Sequence, residues 1–441
     1  MSLLQRVKDA YRALPPWVTA PVKYVPNGVL FGKGFRTCEP RTDLDCLGAN
    51  LKTALDYARE HTVWGREHIP TNIAAVDAEK IVADLPCVTS AELAAEPERF
   101  VSDEANDLNS YVTTTGGSGR NPTSIRLSNV SYGAEWAHML TIWGRGGYSR
   151  QRDVKVTFRG YHLKPGELVR RDPIYNELSV DPFQLNDANF SELLKQISGK
   201  GVTCLHGYPS LVKMFMERLK GTGRTFPVRE IMLGSEGASV DEVRAISSFF
   251  GAKVITWYGL TEKVILAYDE AASGRFVNFS SYGYPRVVDA DENGVGELVG
   301  TTFVNTAMPL VNYRTGDYGV VQRLEVEGGG ECLVIEKLQG RTGKDFVYKS
   351  PDCKFTMTAV NLHGSVQEKI VFYQIVQKEY GKVLVKVLPK KGQDAARIRE
   401  EMLVELAERL KGFEIDCRVV SSDAEFERSK RGKMMMLVQE L

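Results

Sequence analysis

Five short polar segments, dispersed along 441 residues, carry the residue types best suited to chemistry. They combine glycines, hydroxyl side chains, single carboxylates and basic groups, which hold phosphate and divalent cations in many proteins. Each segment alone is a weak signal, because ordinary turns use the same residues. The five segments are 113–123 (TTTGGSGRNPT), 234–237 (GSEG), 257–262 (WYGLTE), 313–317 (YRTGD) and 430–433 (KRGK).

The first segment predicts a phosphate-binding loop. Residues 113–123 contain five hydroxyl side chains and three glycines, so main-chain amides and small donors can approach an anion closely. A triphosphate is the anion that suits such a surface, and a flexible surface turn is the alternative. Neither GxGxxG nor GxxxxGK[ST] fits these residues, which argues against a Rossmann or a Walker-type site.

The elements predicted around two of the segments form a parallel sheet. Most of the first hundred residues predict helices, and the pattern then changes. Short apolar runs that end at Leu205, Leu233 and Trp257 alternate with helical patterns over 210–219 and 240–250. Ligands of such sheets bind at the carboxyl ends of the strands. The segments GSEG and WYGLTE follow or end these runs, and we therefore expect them to border a cleft.

Beyond residue 262 the pattern changes to short strands separated by turns. Strands over 296–303 and 318–324 predict a barrel-like or antiparallel part. The last hundred residues predict a separate small α+β lobe. Its expected elements are strands over 371–377, 383–388 and 415–420 and one long helix over 394–410.

Composition limits the class of partner. Lysine plus arginine equals aspartate plus glutamate at 56 each, so no global field favours nucleic acid or anionic lipid. The seven cysteines are scattered without a CxxC pair, as expected for reduced thiols in a cytoplasmic protein. Charges interrupt the first apolar run, and no later stretch reaches eighteen apolar residues, so we expect neither a signal peptide nor a membrane span.

In this order and spacing the five segments resemble the adenylate-forming (ANL) superfamily of acyl-CoA synthetases, luciferases and peptide-synthetase adenylation domains. The likeness covers nearly the whole chain and is greatest to the phenylacetate-CoA ligase and coenzyme F390 synthetase branch, especially its CapK-like members. It implies an α/β fold with a large N-terminal lobe, built of parallel sheets flanked by helices plus a small β-barrel-like part, and a small mobile α+β C-terminal lobe. The implied domains are an adenylation core over 1–339, a hinge over 340–345 and a lid over 346–441.

The resemblance implies an ATP and Mg²⁺ site. Tyr258 would stack near the adenine, Thr261 would contact the α-phosphate, and Glu262 would bind Mg²⁺. Asp317 would accept hydrogen bonds from both ribose hydroxyls, and Arg314 could belong to the same wall. An ionised carboxylate suits both acidic roles, because it only accepts hydrogen bonds and is a preferred ligand of Mg²⁺. The implied nucleotide-binding positions are Thr114, Thr115, Gly116, Gly117, Ser118, Gly119, Ser235, Glu236, Gly237, Trp257, Tyr258, Gly259, Thr261, Asp317 and Arg341.

The phosphate loop departs from the T-S-G-T-T-G-K-P loop that it resembles. Arg120 stands where lysine is usual, and Asn121 is inserted before Pro122. The hinge also leaves two assignments open, since either Gly343 or Asp345 occupies the place of the usual hinge aspartate.

The last segment supplies the lysine that the resemblance implies for catalysis. Lys433 would bridge the carboxylate and phosphate oxygens during adenylation, where a cation is needed because one anion attacks another. A basic tail without chemistry is the alternative, since Lys430 and Arg431 stand close by.

Between the loop and the nucleotide segments lies the stretch that shapes the acid pocket in this family. His206 could steer the carboxylate, and an aromatic wall would suit an aryl acid, although ordinary core packing uses the same residues. Residues 263–305 contain no cysteine or histidine, unlike the metal-binding segment of many phenylacetate ligases. The residues of the predicted wall are Tyr132, Trp136, His138, Trp143 and Tyr161.

The resemblance therefore implies an AMP-forming carboxylate ligase whose partners are a small carboxylic acid and ATP. The acceptor is open between CoA, as a second substrate, and an amine, which would make the protein an amide-forming ligase. A non-catalytic scaffold is the alternative from another class, and a homodimer is an open alternative to a monomer. No nucleic-acid partner is expected.

Overall fold

The computed structural model describes residues 19–114, 123–159, 161, 163–182, 184–325, 330–339, 346–351, 353–356, 362, 366, 369–428 and 434–441. The chain divides into two compact units. The first unit is residues 1–153, 172–176 and 253–339, and the second is residues 154–171, 177–252 and 340–441. The predicted hinge lies outside the described residues, and the division into core, hinge and lid stays a prediction.

Helices dominate the early part of the described chain, as the sequence predicted. None of the described helices is long and apolar enough to cross a membrane. The helices are α1 Asn27–Leu30, α2 Gly32–Thr37, α3 Leu47–His61, α4 Val63–His68, α5 Ala78–Asp84, α6 Ser90–Ala95, α7 Asn129–Gly144, α8 Phe190–Ile197, α9 Pro209–Thr222, α10 Val240–Phe250 and α11 Ala395–Arg409, with 3₁₀ turns at Ala20–Tyr24, Ala75–Asp77, Pro97–Arg99 and Asp423–Glu425.

The strands alternate with helices in the middle of the chain and mostly follow one another after residue 253. They are β1 Ser110–Thr114, β2 Ser124–Ser128, β3 Val154–Phe158, β4 Val169–Asp172, β5 Glu177–Val180, β6 Val202–Gly207, β7 Glu230–Gly234, β8 Lys253–Gly259, β9 Leu266–Asp269, β10 Phe276–Asn278, β11 Gly283–Val288, β12 Gly296–Thr302, β13 Tyr313–Glu325, β14 Glu331–Gln339, β15 Phe346–Ser350, β16 Cys353–Thr356, β17 Ile370–Glu379, β18 Lys382–Pro389, β19 Glu414–Val419 and β20 Leu437–Gln439.

In the first unit the strands form antiparallel arrangements. Strands β1 and β2 make a hairpin, and the others lie in the order β11-β12-β13-β14-β10-β9-β8. Each neighbouring pair in this order is antiparallel, which agrees with the antiparallel alternative that the sequence predicted. Helix α3 contributes to the core of this unit, because Leu51, Leu55 and Ala58 recur at helical spacing and are fully buried.

In the second unit four strands lie side by side and parallel in the order β7-β6-β3-β5, with β4 beyond β5. Phe158 of β3 packs its ring on Phe215 of α9 at 4.7 Å, and Phe190 of α8 contacts the same ring. The predicted alternation of strand and helix is therefore confirmed in this unit. Helix α10 begins at a capping box, because Ser239 and Glu242 each accept a main-chain hydrogen bond from the other residue.

The C-terminal part of the second unit has its own four-stranded sheet, in the order β19-β18-β17-β20. Strands β17 and β18 are antiparallel, and the two outer strands are parallel to their neighbours. Ile398, Met402 and Leu406 of α11 pack in the core of this sheet. The predicted α+β lobe is thus present, and the short strand β20 is an element that the sequence analysis missed.

Candidate functional site

In the first unit two predicted nucleotide segments meet through hydrogen bonds. The hydroxyl of Tyr258, near the end of β8, donates a hydrogen bond of 2.8 Å to Oδ2 of Asp317. Tyr313, at the start of β13, donates one of 3.0 Å to Oε1 of Glu262. The segment 257–262 thus supplies an aromatic ring and a carboxylate, and each is bonded to a residue of the segment 313–317. The predicted magnesium ligand and the predicted ribose ligand therefore belong to one cluster.

Glu262 occupies the turn that follows β8 and is only 1% exposed. Burial of a carboxylate requires a hydrogen-bond donor or a cation, and the Tyr313 hydroxyl supplies such a donor. No group of three histidine, cysteine, aspartate or glutamate side chains able to hold a metal occurs among the described residues. A single carboxylate fits Mg²⁺, which commonly binds one or two protein carboxylates together with substrate phosphates and water. Trp257, Gly259 and Thr261 lie on the same strand and turn.

The turn that carries Asp317 is fixed by its own hydrogen bonds. Gly316 adopts φ +74°, and its amide donates a hydrogen bond of 3.0 Å to Glu297. The amide of Asp317 donates another of 3.0 Å to the hydroxyl of Thr315. These contacts, with the one from Tyr258, hold Asp317 in one place near the start of β13. Such preorganisation suits an acceptor of two ribose hydroxyls.

Arg314 forms ion pairs close to the Asp317 turn. Its guanidinium donates to Glu297 at 2.7 Å and to Asp289 at 2.6 Å, and the Asp289 hydrogen bond raises the pKa of Arg314. The side chain therefore fastens neighbouring chain segments around this turn. Its contribution to a nucleotide wall stays a prediction.

The structure describes only the two ends of the predicted phosphate-binding loop. Thr114, at the end of β1, pairs with Ser124 at the start of β2, so the chain leaves and returns at one end of a hairpin. The predicted ligands Thr115, Gly116, Gly117, Ser118 and Gly119 lie outside the described residues, as does Arg120.

In the second unit three residues lie just beyond the carboxyl ends of neighbouring parallel strands. Arg159 follows β3, Tyr208 follows β6 and Ser235 follows β7. The guanidinium of Arg159 donates a hydrogen bond of 2.6 Å to the Ser235 hydroxyl and lies over the Tyr208 ring at 5.2 Å. Ser235 has φ +68°, a left-handed conformation that few residues other than glycine adopt. Ser235 was among the residues selected from the sequence and Arg159 was not. The available signal for Arg159 was its position directly after the alternating, strand-like residues 154–158 (VKVTF).

His206 is a buried member of this unit. It lies on β6, beside Thr157 of β3, whose hydroxyl is 3.2 Å from Nδ1. Burial holds the pKa of His206 well below its usual value, and the positive charges of Arg159 and Lys155 act in the same direction. The imidazole is therefore neutral at physiological pH. Its predicted contact with the substrate stays a prediction.

A buried ion pair lies beside His206 on the same sheet. Lys155 of β3 and Glu177 of β5 are 2.7 Å apart, and both side chains are buried. Burial alone would raise the pKa of Glu177, but Lys155 and the neighbouring donors bring this pKa down to about 2. Tyr161 and Ser179 each donate a hydrogen bond of 2.8 Å to Glu177. The charge of Lys155 is therefore matched inside the sheet.

Glu236 makes contacts with two parts of the second unit. Its Oε2 accepts a hydrogen bond of 3.3 Å from the amide of Ser210 in α9, and its Oε1 accepts one of 3.1 Å from the amide of Met434. Met434 directly follows the predicted catalytic Lys433 in the chain. Gly237, the next residue after Glu236, is exposed. The described residues do not include Lys433, Lys430 and Arg431, nor Arg341, Gly343 and Asp345 of the predicted hinge.

The chain on both sides of the 429–433 segment is held by polar contacts. Arg428 and Met434 form an isolated antiparallel bridge. The side-chain amide nitrogen of Gln374, in β17, donates to the carbonyls of Glu427 at 2.9 Å and Met435 at 2.7 Å. Gln374 is fully buried, so these hydrogen bonds have little competition from water.

An ion-pair cluster adds to this support. Asp423 accepts from Arg218 of α9 at 2.6 Å and from Arg428 at 3.0 Å. The Asp423 side chain is 6% exposed, and burial lowers the pKa of Arg428 despite this partner. The cluster joins helix α9 to the chain that leads into the 429–433 segment.

The predicted aromatic wall consists largely of residues that pack on one another. Trp136 of α7 stacks on Phe31 at 4.7 Å and on Tyr175 at 5.0 Å. Tyr132 shares a hydrogen bond of 2.7 Å with the Tyr175 hydroxyl, and Trp143 meets Trp136 edge to face. These contacts are those of ordinary core packing, the alternative that the sequence left open. An aryl pocket lined by these residues stays a prediction.

His138 is also part of the core of the first unit. Its Nδ1 lies 2.8 Å from the Ala134 carbonyl and its Nε2 lies 2.8 Å from the Ser281 hydroxyl. Since a carbonyl can only accept, Nδ1 carries the proton and Nε2 accepts from Ser281. Burial lowers the pKa of His138 to about 4, so the ring is neutral.

All seven cysteines are described, and none of them forms a disulfide. The free thiols are Cys38, Cys46, Cys87, Cys204, Cys332, Cys353 and Cys417.

Comparisons with known proteins identify the fold. No family model matches the sequence, and no curated protein matches it. The chain is similar to two crystal structures of a 2-hydroxyisobutyryl-CoA ligase in the postadenylation state. The complex with R3-HIB-AMP is 16% identical, with 89% of this chain and 88% of that chain covered and a TM-score of 0.64. The complex with 2-HIB-AMP has the same identity of 16% and the same coverage of 89% and 88%, with a TM-score of 0.63. The chain is also similar to that ligase with 2-HIB-AMP and CoA in the thioesterification state (18% identity, 90% and 89% coverage, TM-score 0.51). The chain therefore has the fold of adenylate-forming ligases, as the sequence predicted.

Proposed function

We propose that this protein is an AMP-forming carboxylate ligase that activates an organic acid with Mg·ATP and transfers the acyl group to CoA. The observation that carries the proposal is the cluster in which Tyr258 is bonded to Asp317 and Tyr313 to Glu262. It joins two segments that are far apart in the sequence, and the resemblance gives both of them to the nucleotide. The fold shared with a CoA ligase bound to an acyl-adenylate supports the proposal. The motifs favour the phenylacetate-CoA ligase and coenzyme F390 synthetase branch and its CapK-like members.

In the proposed reaction a carboxylate oxygen of the acid attacks the α-phosphorus of ATP. Acyl-AMP forms and pyrophosphate leaves. Attack by one anion on another requires positioning and neutralisation of charge more than it requires covalent catalysis. Asp317 would hold the ribose, Thr261 and Lys433 would contact the reacting oxygens, and the residues 115–119 would hold the outer phosphates. Mg²⁺ held by Glu262 would neutralise charge on the phosphates.

In the second half of the proposed reaction a nucleophile displaces AMP from the acyl group. CoA is the proposed nucleophile, because the similar ligase has been solved with CoA bound. We propose that residues 346–441 move about a hinge at 340–345 between the two half-reactions. Glycines such as Gly343 permit the large main-chain rotation that such a movement needs.

The test is acid-dependent exchange of labelled pyrophosphate into ATP. A panel of aliphatic, hydroxylated, dicarboxylic and aryl acids should contain at least one that supports exchange, and Lys433→Ala should abolish it while ATP binding is retained. Exchange with none of the acids, by protein that binds ATP, would favour a scaffold. Product analysis with CoA and with amines as acceptors separates a CoA ligase from an amide-forming ligase.

A further inference from the structure

Arg159 lies at the sheet edge where ligands of parallel sheets bind. Strands β3, β6 and β7 are neighbours, and their registers align Phe158 with Gly207 and Gly207 with Leu233. The next residues along β3 and β6 are Arg159 and Tyr208, and Ser235 follows two residues after Leu233. These three side chains therefore occupy the carboxyl edge of the parallel sheet in the second unit.

The guanidinium of Arg159 is held in one orientation by its two neighbours. One nitrogen donates to the Ser235 hydroxyl at 2.6 Å, and the group lies over the Tyr208 ring at 5.2 Å. The left-handed conformation of Ser235 is energetically unfavourable for a serine, and such strained residues cluster at functional sites. A guanidinium has five N–H donors in a rigid fork, so one hydrogen bond leaves capacity for a bidentate carboxylate.

The positive charge of Arg159 is available to a ligand. In the described parts of the chain, no aspartate or glutamate forms a salt bridge with its guanidinium, and the side chain is only half-buried. Lys155, the neighbouring cation on β3, is paired with Glu177 at 2.7 Å. A further buried carboxylate, Glu230, lies at the amino end of β7, opposite to the edge that carries Arg159. Glu236 follows Ser235 at the same edge, and its carboxylate oxygens accept from the amides of Ser210 and Met434. The edge therefore presents the charge of Arg159 beside Ser235, Tyr208 and a carboxylate that is bonded to main-chain amides.

We propose that Arg159 binds a carboxylate of the acid substrate. The proposal rests on the proposed function, since it assigns the acid side of the same reaction. The bound carboxylate is either the one that is activated or a second one on a dicarboxylic acid, and both give the same contact with the guanidinium. Ser235 and Tyr208 are positioning residues, because they orient the arginine.

The experiment measures pyrophosphate exchange for the wild-type protein, Arg159→Gln and Arg159→Lys at varied acid and varied ATP. The acids are acetate, 2-hydroxyisobutyrate, malonate, succinate, malate, benzoate and phenylacetate. We expect Arg159→Gln to raise the KM of the accepted acid about tenfold or more, as loss of a charge-assisted hydrogen bond does, and to leave the KM of ATP within about twofold. Arg159→Lys should restore part of the loss. Arg152→Gln is the matched control, since that side chain is 68% exposed.

The arms of the experiment separate the outcomes. If Arg159→Gln raises the KM of malonate or succinate but not that of acetate, Arg159 binds a second carboxylate. If it raises the KM of all accepted acids equally, Arg159 binds the carboxylate that is activated. An increase in the KM of ATP alone, or no change in either KM, overturns the inference. Such results with an acid that supports exchange leave the proposed function intact. Failure of every acid with the wild-type protein overturns the proposed function and the inference together.

A chemical readout covers the case in which Arg159→Gln does not fold. Phenylglyoxal modifies accessible arginines, and mass spectrometry of the wild-type protein can follow Arg159 by its peptide. The accepted acid should slow modification of Arg159 and leave Arg152 unaffected. Equal modification with and without saturating acid overturns the inference.

Discussion

The main-chain amide of Met434 donates a hydrogen bond of 3.1 Å to Oε1 of Glu236. The other carboxylate oxygen of Glu236 accepts from the amide of Ser210, at the start of α9. Glu236 thus joins the turn after β7 to the residue that follows Lys433 in the chain. Glu236, which the resemblance implies lies beside the nucleotide, therefore also holds the main chain that adjoins the proposed catalytic Lys433.

We predict that Glu236→Ala will weaken this attachment. Hydrogen bonds to charged groups contribute about 1.5–3 kcal/mol, so amide exchange at Met434 should accelerate about tenfold or more. The rate of acid-dependent pyrophosphate exchange should fall with it. Hydrogen–deuterium exchange of the peptide that contains Met434 gives the measurement, and Glu292→Ala, at an exposed turn, is the control. Unaltered amide exchange at Met434 would show that Glu236 does not hold this segment.

Replacement of Asp423 should be strongly destabilising. Asp423→Asn removes the buried carboxylate that pairs with both Arg218 and Arg428, and removal of one member of a buried pair costs about 3–5 kcal/mol. Asp416→Asn is a matched control, because Asp416 is 72% exposed and its 3.5 Å pair with Arg399 should contribute less than about 1 kcal/mol. Pulse proteolysis in urea, with the peptides of residues 346–441 followed by mass spectrometry, measures both. Equal effects of the two substitutions would contradict this account of the cluster.

Asp317 should decide the affinity for ATP. Asp317→Ala removes the acceptor proposed for the ribose hydroxyls, and we expect the Kd of ATP to rise about tenfold or more. Tyr258→Phe should have a smaller effect, because it removes a hydrogen bond that orients Asp317 and leaves the Asp317 carboxylate in place. Glu292→Gln is the control, since that side chain lies at an exposed turn. Calorimetric titration with ATP tests the order of these effects, and an unchanged Kd in Asp317→Ala would remove the assigned role.

Stability should decrease below about pH 6.5 because His138 is buried and neutral. Its folded pKa of about 4 lies below the unfolded value, so the unfolded chain binds the proton more readily. The free energy of unfolding therefore has its full value above about pH 6.5 and decreases as the pH falls towards about 4. The total decrease due to His138 is about 3 kcal/mol. Denaturant unfolding over the range of about pH 7 to 5 measures the slope. In His138→Gln the free energy of unfolding should depend less steeply on pH. The prediction is contradicted if the difference in unfolding free energy between the two proteins is the same at every pH.

The regular elements were predictable because their signals are local. The helical pattern over 240–250 became α10 Val240–Phe250, and the predicted helix over 394–410 became α11 Ala395–Arg409. Hydrophobic periodicity fixes such elements before any long-range contact forms. The short strand β20 was missed, since three residues give no periodicity and its register depends on pairing with β17.

The candidate site was predictable only in part, because its contacts are long-range. The segments that contain Tyr258 and Asp317 were selected by their resemblance to a family, and the hydrogen bond between them has no signature in either segment. Arg159 was missed for a similar reason. Its importance depends on Ser235 and Tyr208, which reach it only after three strands have aligned.

In the proposed mechanism the acid attacks the α-phosphorus of ATP. The most direct measurement is single-turnover reaction of an acid that supports pyrophosphate exchange, labelled with ¹⁸O in its carboxylate, followed by CoA and mass spectrometry of the products. The account predicts transfer of one ¹⁸O atom to AMP and none to inorganic phosphate. Appearance of the label in inorganic phosphate, together with ADP, would contradict it.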